Sequence, residues 1–133
     1  MQNKKNKLVV RKDDYEILVG YLRNGHHKYK FDRQNAEELS GELKKAKVFT
    51  KENFPSNVVR LNSRVLIKEE ESGKLMEFTL VTPDKANIKE NKISVLAPIG
   101  TALIGFREGH IVQWNVPSGK KSFAIVEVHN DRA

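Results

Sequence analysis

Three clusters of titratable residues are the candidates for chemistry in this sequence. They are the adjacent acids Asp13 and Asp14, the adjacent histidines His26 and His27, and three consecutive acids at positions 69–71. Clustered carboxylates can hold Mg²⁺ and position water for hydrolysis, and histidines bind zinc when further ligands lie close by. Each cluster also has a simpler structural interpretation, which depends on the element that carries it.

The acidic pair falls at the start of a predicted helix. Asp13 and Glu16 have the spacing of a capping box, and apolar residues then recur at the helical period as far as Leu22. Asn24 and Gly25 supply a C-terminal stop. Acids at a helix start cap free N–H groups and interact favourably with the helix dipole, so we interpret the pair as capping residues rather than as a catalytic site.

The other two clusters are predicted to lie in solvent. His26 and His27 precede a second helix that is expected to start after Asp32, and neither His110 nor His129 is near them in sequence. The acids at 69–71 lead into Ser72 and Gly73, which is typical of an exposed hairpin turn. The sequence therefore predicts no catalytic residue, no metal site and no cofactor.

The second predicted helix carries Ala36, Leu39, Leu43 and Ala46 on one face. Together the two helices predict a short antiparallel hairpin, or short coiled coil, over residues 13–50. Each arm has about 11 to 16 residues, so at 1.5 Å per residue it projects by roughly 16 to 24 Å.

Beyond Pro55 the apolar pattern changes from the helical period to alternation, which predicts strands. We expect strands at 58–61, 64–67, 76–80, 92–95, 111–116 and 123–128, and one short helix that begins at Pro98 and ends at Gly105. The fold class is α+β: a short N-terminal antiparallel helical hairpin followed by a mostly antiparallel sheet domain over residues 55–130, built around one core.

Charge is concentrated near the N-terminus. The net charge is +7, and five basic residues precede the first acid, so residues 1–12 are predicted to form a basic flexible tail. Direct but weak nucleic-acid binding through this arm stays open as an alternative. The chain has no cysteine and no apolar run of the roughly 20 residues that span a bilayer, which favours a cytoplasmic protein without a membrane partner. The oligomeric state is open, with a monomer favoured.

The segment from Ile93 to Gly105, which reads ISVLAPIGTALIG, resembles the signature of the C-terminal domain of the GreA/GreB family. The Rnk branch of that superfamily matches best, and it also tends to show the sequence at 96–98. Supporting matches lie at 61–65, 80–83, 109–114 and 116–119. The resemblance implies an FKBP-like domain that binds the rim of the secondary channel of RNA polymerase, with a coiled coil pointing into the channel.

The same resemblance assigns the polymerase-binding site to Leu96, Ala97, Pro98, Ile99 and Gly100. Two of these, Leu96 and Ile99, could equally fill the core beneath the short helix. Long-armed members of the family carry paired acids at the coiled-coil tip that hold a metal ion for cleavage of backtracked RNA. Here the tip from Arg23 to Asp32 has a single acid, so the expected function is a non-enzymatic transcription regulator. Peptidyl-prolyl isomerase activity stays open as an alternative, on the FKBP-like fold alone.

Overall fold

The computed structural model describes residues 8–24, 30–116 and 119–130. The helices are α1 (Lys12–Asn24), α2 (Lys30–Lys44) and α3 (Pro98–Leu103), with short 3₁₀ helices at Pro83–Lys85 and Ile88–Glu90. The strands are β1 (Val9–Arg11), β2 (Lys47–Phe49), β3 (Arg64–Glu69), β4 (Leu75–Val81), β5 (Lys92–Ser94), β6 (Ile111–Val116) and β7 (Gly119–His129). The predicted mixture of helices and a mostly antiparallel sheet is confirmed. The FKBP-like relationship stays a prediction.

The main sheet has five strands in the order β5-β4-β3-β7-β6. All pairs are antiparallel except β4 with β5, which run parallel. Alternation along β3 places Val65 and Ile67 in the core, and the same alternation buries Phe123 and Ile125 of β7. In this strand order, β5 forms one edge of the sheet and β6 forms the other.

Residues 8–12 are not a tail, so this part of the prediction for residues 1–12 is wrong. β1 pairs in parallel with β2, the backbone N–H of Lys47 donates to the carbonyl of Leu8 at 2.8 Å, and the side chains of Leu8 and Val10 are buried. The physical reason is that burial of two apolar side chains stabilises β1, while the charge of the neighbouring Arg11 is met by the carboxylate of Asp13. Residues 1–7 lie outside the described residues.

The two long helices have 13 and 15 residues, as predicted, and they contact each other. Two details of their starts differ. α1 begins at Lys12, so Asp13 lies inside the first turn, and α2 begins at Lys30, so Asp32 lies inside the helix and is not its N-cap. The antiparallel arrangement stays a prediction. Within the described ranges, no helix is long and apolar enough to cross a membrane.

One hydrophobic core joins the three α-helices, β1 and the main sheet, as expected. The same cluster contains Leu18 of α1, Leu39 of α2 and the inward side chains of the main sheet. The predicted strand at 58–61 is wrong, because this segment is a buried loop that forms a single antiparallel bridge between Val58 and Arg107. Part of its backbone is satisfied by a neighbouring turn: Val59 N–H donates to the carbonyl of Phe106 at 2.8 Å.

Candidate functional site

The turn between β5 and α3 is the segment that the sequence singled out, and local hydrogen bonds fix its backbone. Ser94, the last residue of β5, accepts at its Oγ atom from the N–H of Leu96 at 3.0 Å, and its carbonyl accepts from the N–H of Ala97 at 3.0 Å. The hydroxyl of Thr101 in α3 donates to the carbonyl of Val95 at 2.8 Å. The turn is therefore held from both sides by short polar side chains.

Gly100 is a position in this turn where no side chain can be added without a steric clash. A Cβ atom at this position would fall against the carbonyl oxygen of Ser94 and lie 3.1 Å from the Cα of Val95. Only a glycine permits α3 to approach the end of β5 this closely.

The five predicted docking residues differ in accessibility. Leu96 and Ile99 are 6% and 4% exposed and belong to the hydrophobic core, and Gly100 is also buried. The side chains of Leu96 and Ile99 therefore fill the core beneath α3, which was the alternative to a docking role. Ala97 is partly exposed, and the side chain of Pro98, which starts α3, lies outside the described part of the chain. Ala97 is thus the described member of the five whose side chain is accessible to solvent.

A buried ion pair joins α1 to the sheet domain, and no pattern in the sequence predicted it. The guanidinium of Arg60 donates to both carboxylate oxygens of Asp14, at 2.9 and 2.8 Å, and the N–H of Leu61 donates to the same carboxylate at 3.3 Å. Asp14 is 2% exposed and Arg60 is 8% exposed. We call these two residues the junction pair. The adjacent acids at 13 and 14 were a visible signal, whereas nothing local marked Arg60 as their partner.

A second pair flanks the junction pair. Arg11 donates to Asp13 at 2.7 and 2.6 Å, and the hydrogen bonds and charge of this arginine lower the pKa of Asp13 to about 2. Burial raises the pKa of Asp14, because loss of hydration outweighs the opposing hydrogen bonds and charge of Arg60. The acidic pair is thus committed to two arginines, in a region where α1, β1 and the 58–61 loop meet.

In the acidic cluster at 69–71, Glu69 is held by hydrogen bonds. Glu69 accepts from Lys121 at 2.8 Å and from Ser72 at 2.6 Å, and these hydrogen bonds lower its pKa. His26 and His27 lie outside the described residues. Among the residues that the structure describes, no group of three or more histidine, cysteine, aspartate or glutamate side chains is arranged to hold a metal ion.

A further polar contact joins α1 to the loop after β4. The hydroxyl of Tyr21 donates to the carboxylate of Asp84, and this hydrogen bond raises the pKa of Tyr21 and lowers that of Asp84. α1 is therefore tied to the sheet domain at two points, near its start through the junction pair and near its end through Tyr21.

Comparison with known proteins places this arrangement in a class. The family described as "Transcription elongation factor, GreA/GreB, C-term" matches residues 54–130, which include β3 to β7 and the β5–α3 turn. The fold and this match together identify the chain as a member of a class of transcription factors. The chain belongs to the GreA/GreB family, and its sequence is also similar to that of the Rnk branch.

Two curated relatives show the extent of the similarity in sequence. The chain is 38% identical over 84 residues to the "Regulator of nucleoside diphosphate kinase" of Escherichia coli (strain K12), which covers 63% of this chain and 62% of that protein. It is 36% identical over 83 residues to the "Transcription elongation factor GreA" of Amoebophilus asiaticus (strain 5a2), which covers 62% of this chain and 53% of the relative. The chain thus spans roughly half to two thirds of the length of these curated relatives.

A solved structure matches this chain over nearly the whole length of both proteins. The "Prokaryotic transcription elongation factor GreA/GreB from Nitrosomonas europaea" is 32% identical, superposes with a TM-score of 0.78, and covers 94% of this chain and 99% of that chain. The similarity in structure therefore extends beyond the family match into the two N-terminal helices.

Proposed function

We propose that this protein is a transcription regulator that binds RNA polymerase at the rim of the secondary channel through its sheet domain and does not cleave the transcript. The observation that carries the proposal is the family match over residues 54–130, which includes the β5–α3 turn. The protein would act in the cytoplasm, since the sequence has no cysteine and no apolar run long enough to span a bilayer. We further propose that it acts as a monomer.

The docking surface would centre on Ala97. Leu96, Ile99 and Gly100 act from beneath, because their burial fixes the backbone that presents Ala97. A surface held by the core and by local hydrogen bonds loses little conformational entropy when a partner binds.

A pair of substitutions at Ala97 tests this surface without weakening the fold. Ala97 is the N-cap residue of α3, with φ −69° and ψ 153°, and it provides no side-chain hydrogen bond to the helix. Serine and aspartate both supply that bond, so each should leave stability unchanged or raise it by about 0.5 to 1 kcal/mol. Only aspartate adds a charge to the contact.

We expect Ala97→Asp to weaken binding to polymerase core at least tenfold, and Ala97→Ser to bind like the wild-type protein. Affinity is measured by fluorescence anisotropy with the labelled full chain, and thermal melting of both variants is the control. Wild-type affinity for a folded Ala97→Asp variant would contradict docking through this turn.

Two observations support the absence of cleavage. At 1.5 Å per residue, helices of 13 and 15 residues extend only about 20 and 23 Å. The acidic pair lies at the start of α1, and both carboxylates accept hydrogen bonds from arginines, so these oxygens are poor candidates for holding Mg²⁺.

The decisive assay adds the protein to a stalled, backtracked elongation complex with Mg²⁺ and follows the 3′ end of the RNA. We expect transcripts of unchanged length, and slower cleavage by an added long-armed factor as the two compete for one site. Shortening above the rate of polymerase alone would refute the non-enzymatic proposal.

A further inference from the structure

Ile88 is the most exposed large apolar side chain in the part of the chain that the structure describes. It is 81% exposed, compared with 57% for Leu75 and 55% for Ile111. It lies in the segment between β4 and β5, residues 82–91, which we call the Ile88 loop. Single exposed apolar residues are ordinary on protein surfaces, so its exposure alone identifies nothing.

What distinguishes Ile88 is the order of the backbone that presents it. The side chain of Asn87 accepts from the N–H of Lys89 at 3.1 Å, and Asn87 and Lys92 form an antiparallel bridge with two backbone hydrogen bonds of 2.9 Å. Asn91 closes the short helix in the left-handed conformation, with φ 58° and ψ 34°, which asparagine tolerates. The loop therefore holds an apolar side chain out in water on a fixed support, and such a side chain gives up little entropy on binding.

The Ile88 loop lies along the same sheet edge as the β5–α3 turn. Both 3₁₀ helices of the loop pack against β5, which is the edge strand. Asn87 is bridged to Lys92, and Ala97 follows Lys92 by five residues, a span of at most about 18 Å. This separation fits inside one ordinary interface of about 800 Å² per partner.

The charges around Ile88 define the chemistry of the partner. Of the two acids of the loop, Glu90 pairs with Lys92 at 3.1 Å, whereas Asp84 keeps its negative charge and accepts a hydrogen bond from the neutral hydroxyl of Tyr21. Lys85 and Lys89 are exposed, and in the described part of the chain neither ammonium lies within ion-pair distance of a carboxylate. With Lys92 counted, three lysines stand against two acids around Ile88, so the loop presents an apolar centre in a surround with a small excess of positive charge.

We propose that the Ile88 loop is a second anchor of the docking surface, in which Ile88 inserts into an apolar pocket of RNA polymerase bordered by acidic side chains. The inference rests on the proposed function. It adds a residue and a partner chemistry that the 96–100 segment does not contain. A single well-placed apolar anchor can account for a large share of an interface's affinity.

The test compares two matched substitutions in the full chain, Ile88→Ala and Ile111→Ala. Both remove an exposed isoleucine, but Ile111 lies on β6, at the opposite edge of the sheet. Binding is measured to polymerase core stripped of DNA and RNA, so that a nucleic-acid contact cannot contribute. We expect Ile88→Ala to weaken binding at least tenfold, and Ile111→Ala to stay within twofold of wild type.

The possible outcomes separate this inference from the docking proposal. If wild type binds, Ala97→Asp does not, and Ile88→Ala binds within twofold of wild type, the second anchor is refuted while docking stands. If the wild-type protein does not bind polymerase core at all, both the docking proposal and the second anchor are refuted. Equal weakening by Ile88→Ala and Ile111→Ala also refutes a specific anchor.

The charge requirement has its own measurement. A double variant, Lys85→Glu with Lys89→Glu, should weaken binding and reduce its dependence on salt concentration, because acidic groups on the partner would meet like charges. Tighter binding by this variant would overturn the acidic border of the pocket.

Discussion

The junction pair is buried and the β5–α3 turn is largely buried, but they satisfy their polar groups in different ways. At the junction, Asp14 and Arg60 lie 46 residues apart and neutralise each other. At the turn, the N–H groups of Leu96, Ala97 and Thr101 are satisfied within residues 94–101, Val95 N–H donates to the carbonyl of Val81 on the adjacent β4, and the side chains that take part are short. The difference shows that the first region depends on long-range assembly, whereas the second is locally determined and leaves Ala97 accessible.

The largest effect is expected from removal of one partner of the junction pair. Arg60→Ala leaves the carboxylate of Asp14 buried without its counter-charge, which should lower the free energy of unfolding by about 3 to 5 kcal/mol. Guanidinium unfolding followed by circular dichroism measures the loss.

Two controls sharpen this result. Arg64→Ala removes an exposed arginine whose nearest carboxylate, that of Glu77, is 3.7 Å away, and it should cost no more than about 1 kcal/mol. Replacing both members of the junction pair by apolar residues, Asp14→Leu with Arg60→Met, should cost less than Arg60→Ala alone. If Arg60→Ala cost less than about 1 kcal/mol, the junction pair would not hold α1 to the sheet domain.

An intermediate effect is expected at the turn. Gly100→Ala introduces a Cβ against the carbonyl of Ser94, and the resulting overpacking should destabilise the protein by about 1 to 3 kcal/mol. Gly41→Ala is the matched control, because Gly41 lies in α2 and an added Cβ would have no atom within 4 Å, so alanine there should stabilise the helix by about 0.5 to 1 kcal/mol. If Gly100→Ala and Gly41→Ala shifted the melting temperature in the same direction, the close approach at Gly100 would be contradicted.

The smallest effect concerns pH. The pKa of Asp13 is lowered to about 2 from an ordinary value of 3.8, so its pairing with Arg11 stabilises the fold above about pH 4 and is lost as the pH falls towards 2. Since Asp13 is half-exposed, the contribution should be about 1 kcal/mol or less. In Asp13→Asn, this part of the acid destabilisation should disappear. The measurement is the difference in unfolding free energy between the variant and wild type at about pH 6 and about pH 2.5, and an unchanged difference would argue against the pairing.

Elements with strong local signals were predicted well from the sequence. β6 has its predicted bounds, α3 starts at Pro98, and β4 begins one residue before Met76. Alternation, a proline at a helix start and a glycine after its end are properties of neighbouring residues, so no tertiary information was needed. The resemblance to GreA/GreB, which the comparisons confirm, rested on the same kind of contiguous signal.

Three features were decided by tertiary structure alone. The burial of Leu8 and Val10 depends on β2 and on Gly105, whose missing Cβ leaves room for Leu8. The pairing of Asp14 with Arg60 joins positions that share no local pattern, and the burial of Leu96 and Ile99 depends on the core that α3 covers. The sequence by itself therefore determined the family, the mixed fold and most of the sheet, because periodicity and turn chemistry act between neighbours. Which charges are buried and which side chains of the β5–α3 turn stay accessible followed only from packing, because burial is a property of contacts between segments that are distant in sequence.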